Sequence, residues 1–466
     1  MQNSNGSVLS IVGVSGFAGG SPPSSDNNQR VYGPATTSAS FTASALFALG
    51  AIQFNSIGQT AYATTLQTAS VNAYNWATAN PGITFYNSGL VGAGEQEVSA
   101  YDSQVRQMAA AAFLYALTGT ASYKTFFESN YTQMHLVLWS YAYPFEGGQQ
   151  DMMLYYASLP GATPAVATAI RNDYRNSLQT NNADNLPAYT GQTDAYRAWV
   201  ANNNYTWNSN NTKSHQGIMF ANMLTYNLDA PNNTNYRNAA LGFLNYFHGV
   251  NPTAFAYVSN MGSFGAENSI NEFYHAWFTD GSLLWDRVGT STYGPAPGYM
   301  PGGPNPSYAV DACCPSGCTP YNALCSAALV TPPLGQPIQK SYKDWNTSWP
   351  QNSWTITEAG IYTQASYCRL LSSFVSASCL LPTGTAELPA DSFYLNLFPN
   401  PSAETLNIRV NEKSEMVLCS VLGNEITTTF LSPGENEMDV RNLPTGIYFI
   451  KVQAGSITAV KKFVKE

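Results

Sequence analysis

Asp344 follows Tyr342 by two positions, and Glu358 follows Trp354 by four, just ahead of an apolar helix expected to begin around Ile361. A carboxylate set among aromatic rings suits chemistry on sugars. An aromatic face stacks on a pyranose ring, and burial beside Trp354 and Tyr362 would disfavour the charged carboxylate and keep it protonated as a general acid. A carboxylate in the first turn of a helix would instead be held as the anion by the helix dipole, with the opposite effect on its pKa. Hydrolysis of a glycosidic bond needs a second carboxylate on the other side of that bond. Glu95, Glu97, Asp102 and Asp151 are the available acids in the helical region, and nothing in their spacing sets one of them opposite Glu358.

Other chemistries are poorly supplied. His135, His215 and His248 have no metal-ligand spacing, no HExxH pair is present, and no metal site is expected. Four of the seven cysteines, Cys313, Cys314, Cys318 and Cys325, fall in the run CCPSGCTPYNALC. Zinc sites pair two short Cys units across a longer spacer, which this run lacks, so two disulfides are favoured over a zinc knot. Cys368 and Cys379 are candidates for a third bridge, or for two buried thiols. Disulfides imply an oxidising compartment.

The composition agrees with a neutral, polar ligand. Charged residues make up 10% of the 466 residues, against roughly 25% in ordinary globular proteins, and the formal charge is −9. Nucleic acid is excluded as a partner, because phosphate binding needs clustered Lys and Arg. Thirty Tyr and nine Trp supply faces for stacking, although core packing alone accounts for many of them. No run of eighteen or more apolar residues is present, so no membrane span is expected. The N-terminal residues have no basic region followed by an apolar one, as a secretory signal would.

From about Ser38 to Ala377 the pattern is that of apolar helices separated by Gly-, Pro- and Asn-rich loops. Helices are expected near 38–53, 60–79, 101–117, 121–142, 164–179, 189–201, 215–228, 236–247 and 357–376. Several are apolar around much of their circumference, as in layered arrays of helices. Residues 250–350 read as one long loop, which inside a compact domain is usually functional. After a linker at 381–392 the period changes to two: Leu406, Ile408 and Val410 alternate with Asn407 and Arg409, and GIYFIKV at 446–452 is rich in β-branched and aromatic residues. The chain therefore divides into a mainly α domain over 1–380 and a small antiparallel, β-sandwich-like domain over 393–466. Lys461, Lys462 and Lys465 suit a solvated edge strand there.

Three segments of the helical region resemble the catalytic domain of glycoside hydrolase family 9. HGVNPTAFAYVSNMG at 248–262 is similar to the family's G-x-NP loop, PGYMPGGPNPSY at 297–308 to its GGPN segment, and the Asp344 to Glu358 stretch to its acid-bearing signature. About five extra residues separate the two halves of that signature; Gly360 stands where the family has Ser, Thr or Ala, and Gln364 where it has Asn. The resemblance implies an (α/α)6 barrel that hydrolyses β-1,4-glucan with inversion. It implies Glu358 as general acid, Asp344 as a supporting carboxylate, and His275, Trp277, Tyr342 and Trp354 as substrate-binding residues, His275 being otherwise a satisfied core histidine. No cofactor is required, and a structural calcium is compatible with the family. The D-A-G-D type segment that carries the family's catalytic base has no counterpart, and the matched region covers perhaps two thirds of the barrel, so the opening helices are expected to be missing and the chain to be an N-terminally truncated product.

The tail resembles the C-terminal sorting domain read by the type IX secretion system of Bacteroidetes, through FPNPSAETLNI, LGNEI, NLPTGIYFIKV and KKFVKE. That implies export to the cell surface or medium, with the secretion machinery as partner. The expected function is hydrolysis of cellulose or a related β-glucan. The alternative is a non-catalytic glycan-binding or vestigial surface protein, because the base segment is absent.

Overall fold

The computed structural model describes residues 1–16, 23–92, 96–180, 184–274, 282–308, 330–347, 351–375, 394–420, 425–455 and 457–466. Two compact units are present, Met1–Tyr367 and Cys368–Glu466.

The first unit is helical. It contains α1 (Thr37–Ser56), α2 (Thr60–Ala79), α3 (Ala100–Thr118), α4 (Ala121–Asn130), α5 (His135–Leu138), α6 (Gly147–Ser158), α7 (Pro164–Thr180), α8 (Leu186–Thr190), α9 (Ser209–Thr225), α10 (Asn233–Phe247), α11 (Trp354–Thr357) and the start of α12 (Ile361–Ser372). A two-stranded ribbon, β1 (Val12–Gly13) with β2 (Val31–Tyr32), precedes them. Helix α1 is long and apolar enough to cross a membrane, yet half of it is buried. Phe41, Ala45 and Ala48 pack there against Tyr74 and Ala77 of α2 and Ala110, Ala111 and Leu114 of α3, as in a core helix. Small residues at the contacts let these helices approach closely.

Three helical expectations need correction. Residues 189–201 are helical only to Thr190, because the Asp194 carboxylate accepts the backbone N–H of Tyr196 and of Ala198 and gives the chain a local alternative to the helix. The 121–142 helix is broken into α4, a single turn and α5, and Asn130 donates back to the Phe126 carbonyl where α4 stops. Helix α6, whose Gly-Gly-Gln-Gln opening reads as loop, is real. Its first residue is Gly147, where a Cβ would come within 2.4 Å of His215 Nδ1.

The second unit holds two antiparallel sheets. One has the order β3 (Leu395–Phe398), β4 (Thr405–Val410), β7 (Gly434–Asp439); the other β6 (Glu425–Leu431), β5 (Ser414–Ser420), β8 (Gly446–Ala454), β9 (Ile457–Lys465). Leu406, Ile408 and Val410 face a core shared with Met416, Leu418, Ile450 and Val452, and Arg409 faces solvent and pairs with Glu435 on β7 at 2.8 Å. Lys461 and Lys462 are exposed on edge strand β9, whereas Lys465 is buried. Cys419 in β5 is disulfide-bonded. Cys368 is an exposed free thiol, so it makes no bridge to Cys379; its place on an outer face of α12 turns its sulfur to solvent.

Candidate functional site

The frame of the site is the N-terminal end of α9, clamped to two loops far away in sequence. Asn208 enters the helix in the left-handed region (φ 66), which Asn tolerates better than most residues, and its side chain accepts a hydrogen bond from Thr363 at 2.8 Å. Ser366 donates likewise to Asn211 at 2.8 Å. Ser209 donates to the Pro304 carbonyl at 2.7 Å and Asn210 to that of Pro301 at 3.1 Å. Gly303 has φ +100, and a Cβ there would fall 2.5 Å from Asn210, so only glycine fits. Its N–H donates to the Ile356 carbonyl at 2.9 Å. The GGPN segment is thus wedged between the start of α9 and the chain leading to Glu358.

Gln364 completes the clamp. Its carbonyl oxygen accepts the Met300 N–H at 2.8 Å while its amide donates to the Met300 carbonyl at 2.7 Å. The longer side chain, in the place of the family's Asn, spans from α12 to the 297–308 loop. Gly360 has an equally local reason: a Cβ there would lie 2.8 Å from the ring of Tyr362, which folds over it.

Glu358 lies in extended backbone (φ −64, ψ 132) at the end of α11 and ahead of α12, which opens at Ile361 as expected and not at 357. Its carboxylate is half-buried, and Oε2 accepts the indole N–H of Trp207 at 2.9 Å. The Trp207 and Tyr362 rings meet edge to face with centroids 6.2 Å apart. Trp207, Trp354 and Tyr362 are all partly exposed, at 40%, 37% and 49%, so the carboxylate sits among open aromatic surface.

Asp344 has a different setting. Oδ2 accepts the backbone N–H of Asn271 at 2.7 Å, Oδ1 that of Glu272 at 3.2 Å, and the Tyr342 hydroxyl is 3.5 Å from Oδ1. Burial pushes its pKa up to about 6, against the pull of those two N–H groups and of Arg287. Asp344 lines an open groove with Asn271, Glu272, Arg287, Lys343 and Gln351, in which Glu272 and Arg287 form an ion pair. Tyr342 is buried and packs edge-on to Tyr257 at 4.9 Å; it faces Asp344 and the core, not solvent.

The other acids have structural work. Glu97 accepts from Ser38 at 2.5 Å and from the Phe85 N–H at 3.1 Å. At the start of α3 the Ser99 hydroxyl caps the helix by accepting the Asp102 N–H at 3.0 Å and donates to the Asp102 carboxylate at 2.7 Å, and Asp151 accepts the Asn222 amide at 2.6 Å. Among the described residues no group of three or more His, Cys, Asp or Glu could hold a metal ion, so calcium finds no such cluster there. His275, Trp277, Glu95, Cys313, Cys314, Cys318, Cys325 and Cys379 lie outside the described residues. Trp207 escaped the sequence reading because its partner is 151 positions away; the only local signal is a Trp directly before the Asn-rich start of a helix.

The profile of glycosyl hydrolase family 9 matches residues 4–371, and that of a secretion system C-terminal sorting domain matches residues 396–466. The chain belongs to glycosyl hydrolase family 9 and carries a sorting domain that marks it for secretion or the cell surface. Solved structures with a similar fold include a metagenome-derived family 9 endoglucanase (19% identity, TM-score 0.60, covering 80% of this chain and 58% of that one). A family 9 protein of Bacteroides ovatus (20%, 0.58, 80% and 60%) and a single-mutant thermostable endoglucanase from Alicyclobacillus acidocaldarius (17%, 0.57, 80% and 62%) are also similar. At these identities the likeness is one of fold. The chain spans about 60% of the length of these structures. No curated protein sequence matches it.

Proposed function

We propose that the protein acts on β-1,4-glucosidic bonds of cellulose or a related β-glucan, by inverting hydrolysis with Glu358 as general acid. The observation that carries this reading is the Glu358 carboxylate itself: half-buried, and held through one oxygen by the indole of Trp207, a partly exposed ring that meets Tyr362 edge to face. The partly exposed rings of Trp207 and Tyr362 offer stacking surface for glucose units, and a protonated Glu358 carboxyl is able to hand a proton to the leaving oxygen. Asp344, with both oxygens engaged by backbone N–H groups, has the supporting role of positioning the 271–272 segment. The test is reducing-sugar release from a soluble cellulose derivative. Release by the wild-type chain and its loss in Glu358→Gln support the assignment; unchanged release in the variant sinks it.

One observation favours a second reading, a non-catalytic β-glucan-binding protein. Glu97, Asp102 and Asp151 are each committed to structural hydrogen bonds, while inversion calls for a base roughly 6.5–9.5 Å from the acid. Pull-down on insoluble cellulose without release of reducing sugar identifies this case. For the β domain we propose export by the type IX route. Removal of residues 393–466 should leave the protein inside the cell envelope, and continued appearance in the medium would exclude that role.

A further inference from the structure

A second aromatic surface lies outside the motif segments. Tyr101 of α3, His135 of α5 and Trp139 directly after α5 form a continuous stack: the Tyr101 and His135 rings are 3.6 Å apart at 12°, those of His135 and Trp139 3.5 Å apart at 13°. The middle ring is locked in place. His135 Nδ1 donates to Glu146 Oε1 at 2.5 Å, the Tyr101 hydroxyl accepts the His135 backbone N–H at 2.9 Å and donates to Gln149 at 3.0 Å, and the Tyr143 hydroxyl also bonds to Glu146. Trp139 is nevertheless 51% exposed.

An exposed indole stacked on a histidine ring that is itself held by Tyr101 and Glu146, with the Tyr143 ring 6.2 Å away, loses little side-chain entropy when a ligand lands on it. Its flat apolar surface matches the C–H face of a pyranose. The amides of Gln104 on α3, half-buried, and Gln133 in the turn before α5, exposed, pair at 2.7 Å, and amides suit the equatorial hydroxyls at the rim of a sugar ring.

We propose that Trp139, held by the Tyr101–His135–Glu146 assembly, is a stacking platform for a glucosyl unit of a β-glucan chain, in addition to the aromatic surface around Glu358. This rests on the β-glucan reading above. Native gel electrophoresis of the full chain through hydroxyethylcellulose, with dextran gels as control, tests it using Trp139→Ala, Trp139→Gln, Trp139→Phe and Glu358→Gln. The expected result is retardation of the wild-type chain and of Glu358→Gln by the β-glucan only, about tenfold weaker apparent affinity in the Ala and Gln variants, and recovery of most of it by Phe. Equal retardation of wild type and the Ala or Gln variants overturns the platform and leaves the β-glucan reading intact. No retardation of the wild type defeats both. If circular dichroism shows the Ala variant unfolded, Gln against Phe decides: equal mobility of these two overturns the platform.

Discussion

The segment around Asp344 and the segment around Glu358 belong to one sequence motif and meet opposite environments. Asp344 gives both oxygens to backbone N–H groups, sits over the buried Tyr342, and has its pKa pushed up to about 6 by burial. Glu358 is fixed through one oxygen by a side chain, Trp207, and is bordered by rings that solvent reaches. A carboxylate satisfied by main chain holds structure; one steered by a partly exposed aromatic side chain can address a ligand. The difference teaches that substitutions at the first should be read in stability and at the second in function.

The largest effect should come from Glu358→Gln. Removing a general acid costs about 10²- to 10⁴-fold in rate, while a neutral amide of the same shape keeps the Trp207 contact through its oxygen. We expect hydrolysis of a soluble cellulose derivative to fall by that factor with retention on the polysaccharide unchanged and melting temperature nearly so. A variant that loses melting temperature and binding together would erase the contrast, because Glu358 would then be structural as well.

Asp344 should show itself in the pH dependence of stability. Its folded-state pKa lies above the ordinary 3.8, at about 6, so the folded form holds the proton more tightly. The stability this contributes is complete below about pH 4 and is lost as the pH rises through 6. The shift corresponds to about 3 kcal/mol. Urea unfolding of wild type and Asp344→Asn at pH 4 and pH 7 should therefore differ between the two pH values by roughly that amount, the wild type losing ground on the way up; parallel pH profiles would remove the assignment.

Much of the fold is legible in the sequence where pairing is local. Helices α1, α2, α3, α7 and α10 follow from apolar spacing, and β4 from the alternation of Leu406, Ile408 and Val410, because each pattern is set by neighbours a few residues away. The failures have local causes too: Asp194 satisfies backbone that would otherwise be helical, and Gly147 is dictated by His215, a contact across the fold that no window contains. At the site, the motif gives the two carboxylates, whereas the Trp207–Glu358 bond and the Gln364–Met300 clamp join residues far apart in sequence and become visible only in three dimensions.

Gln364 lies on the supporting side of the contrast although it belongs to the Glu358 half of the motif. Gln364→Leu leaves the Met300 N–H and carbonyl without their partner, at a cost of about 1 to 3 kcal/mol. Chemical denaturation should register it, and a variant as stable as wild type would show that solvent takes over both groups. Gln364→Asn, the family's residue, should recover little, because the shorter chain falls short of Met300.

The smallest stability effect is expected at Gly360, where it should be the functional readout that moves. In Gly360→Ala the new methyl would fall 2.8 Å from the Tyr362 ring, and because Tyr362 is about half exposed, its ring is expected to yield by swinging outward. The folding cost should stay within about 1 kcal/mol. The same swing draws Tyr362 away from its 6.2 Å edge contact with Trp207, the residue that steers Glu358, so β-glucan affinity should weaken and tryptophan emission change while the melting temperature holds. A fall in melting temperature with unaltered affinity would place Tyr362 in the framework instead and leave Trp207 as the ring that addresses Glu358.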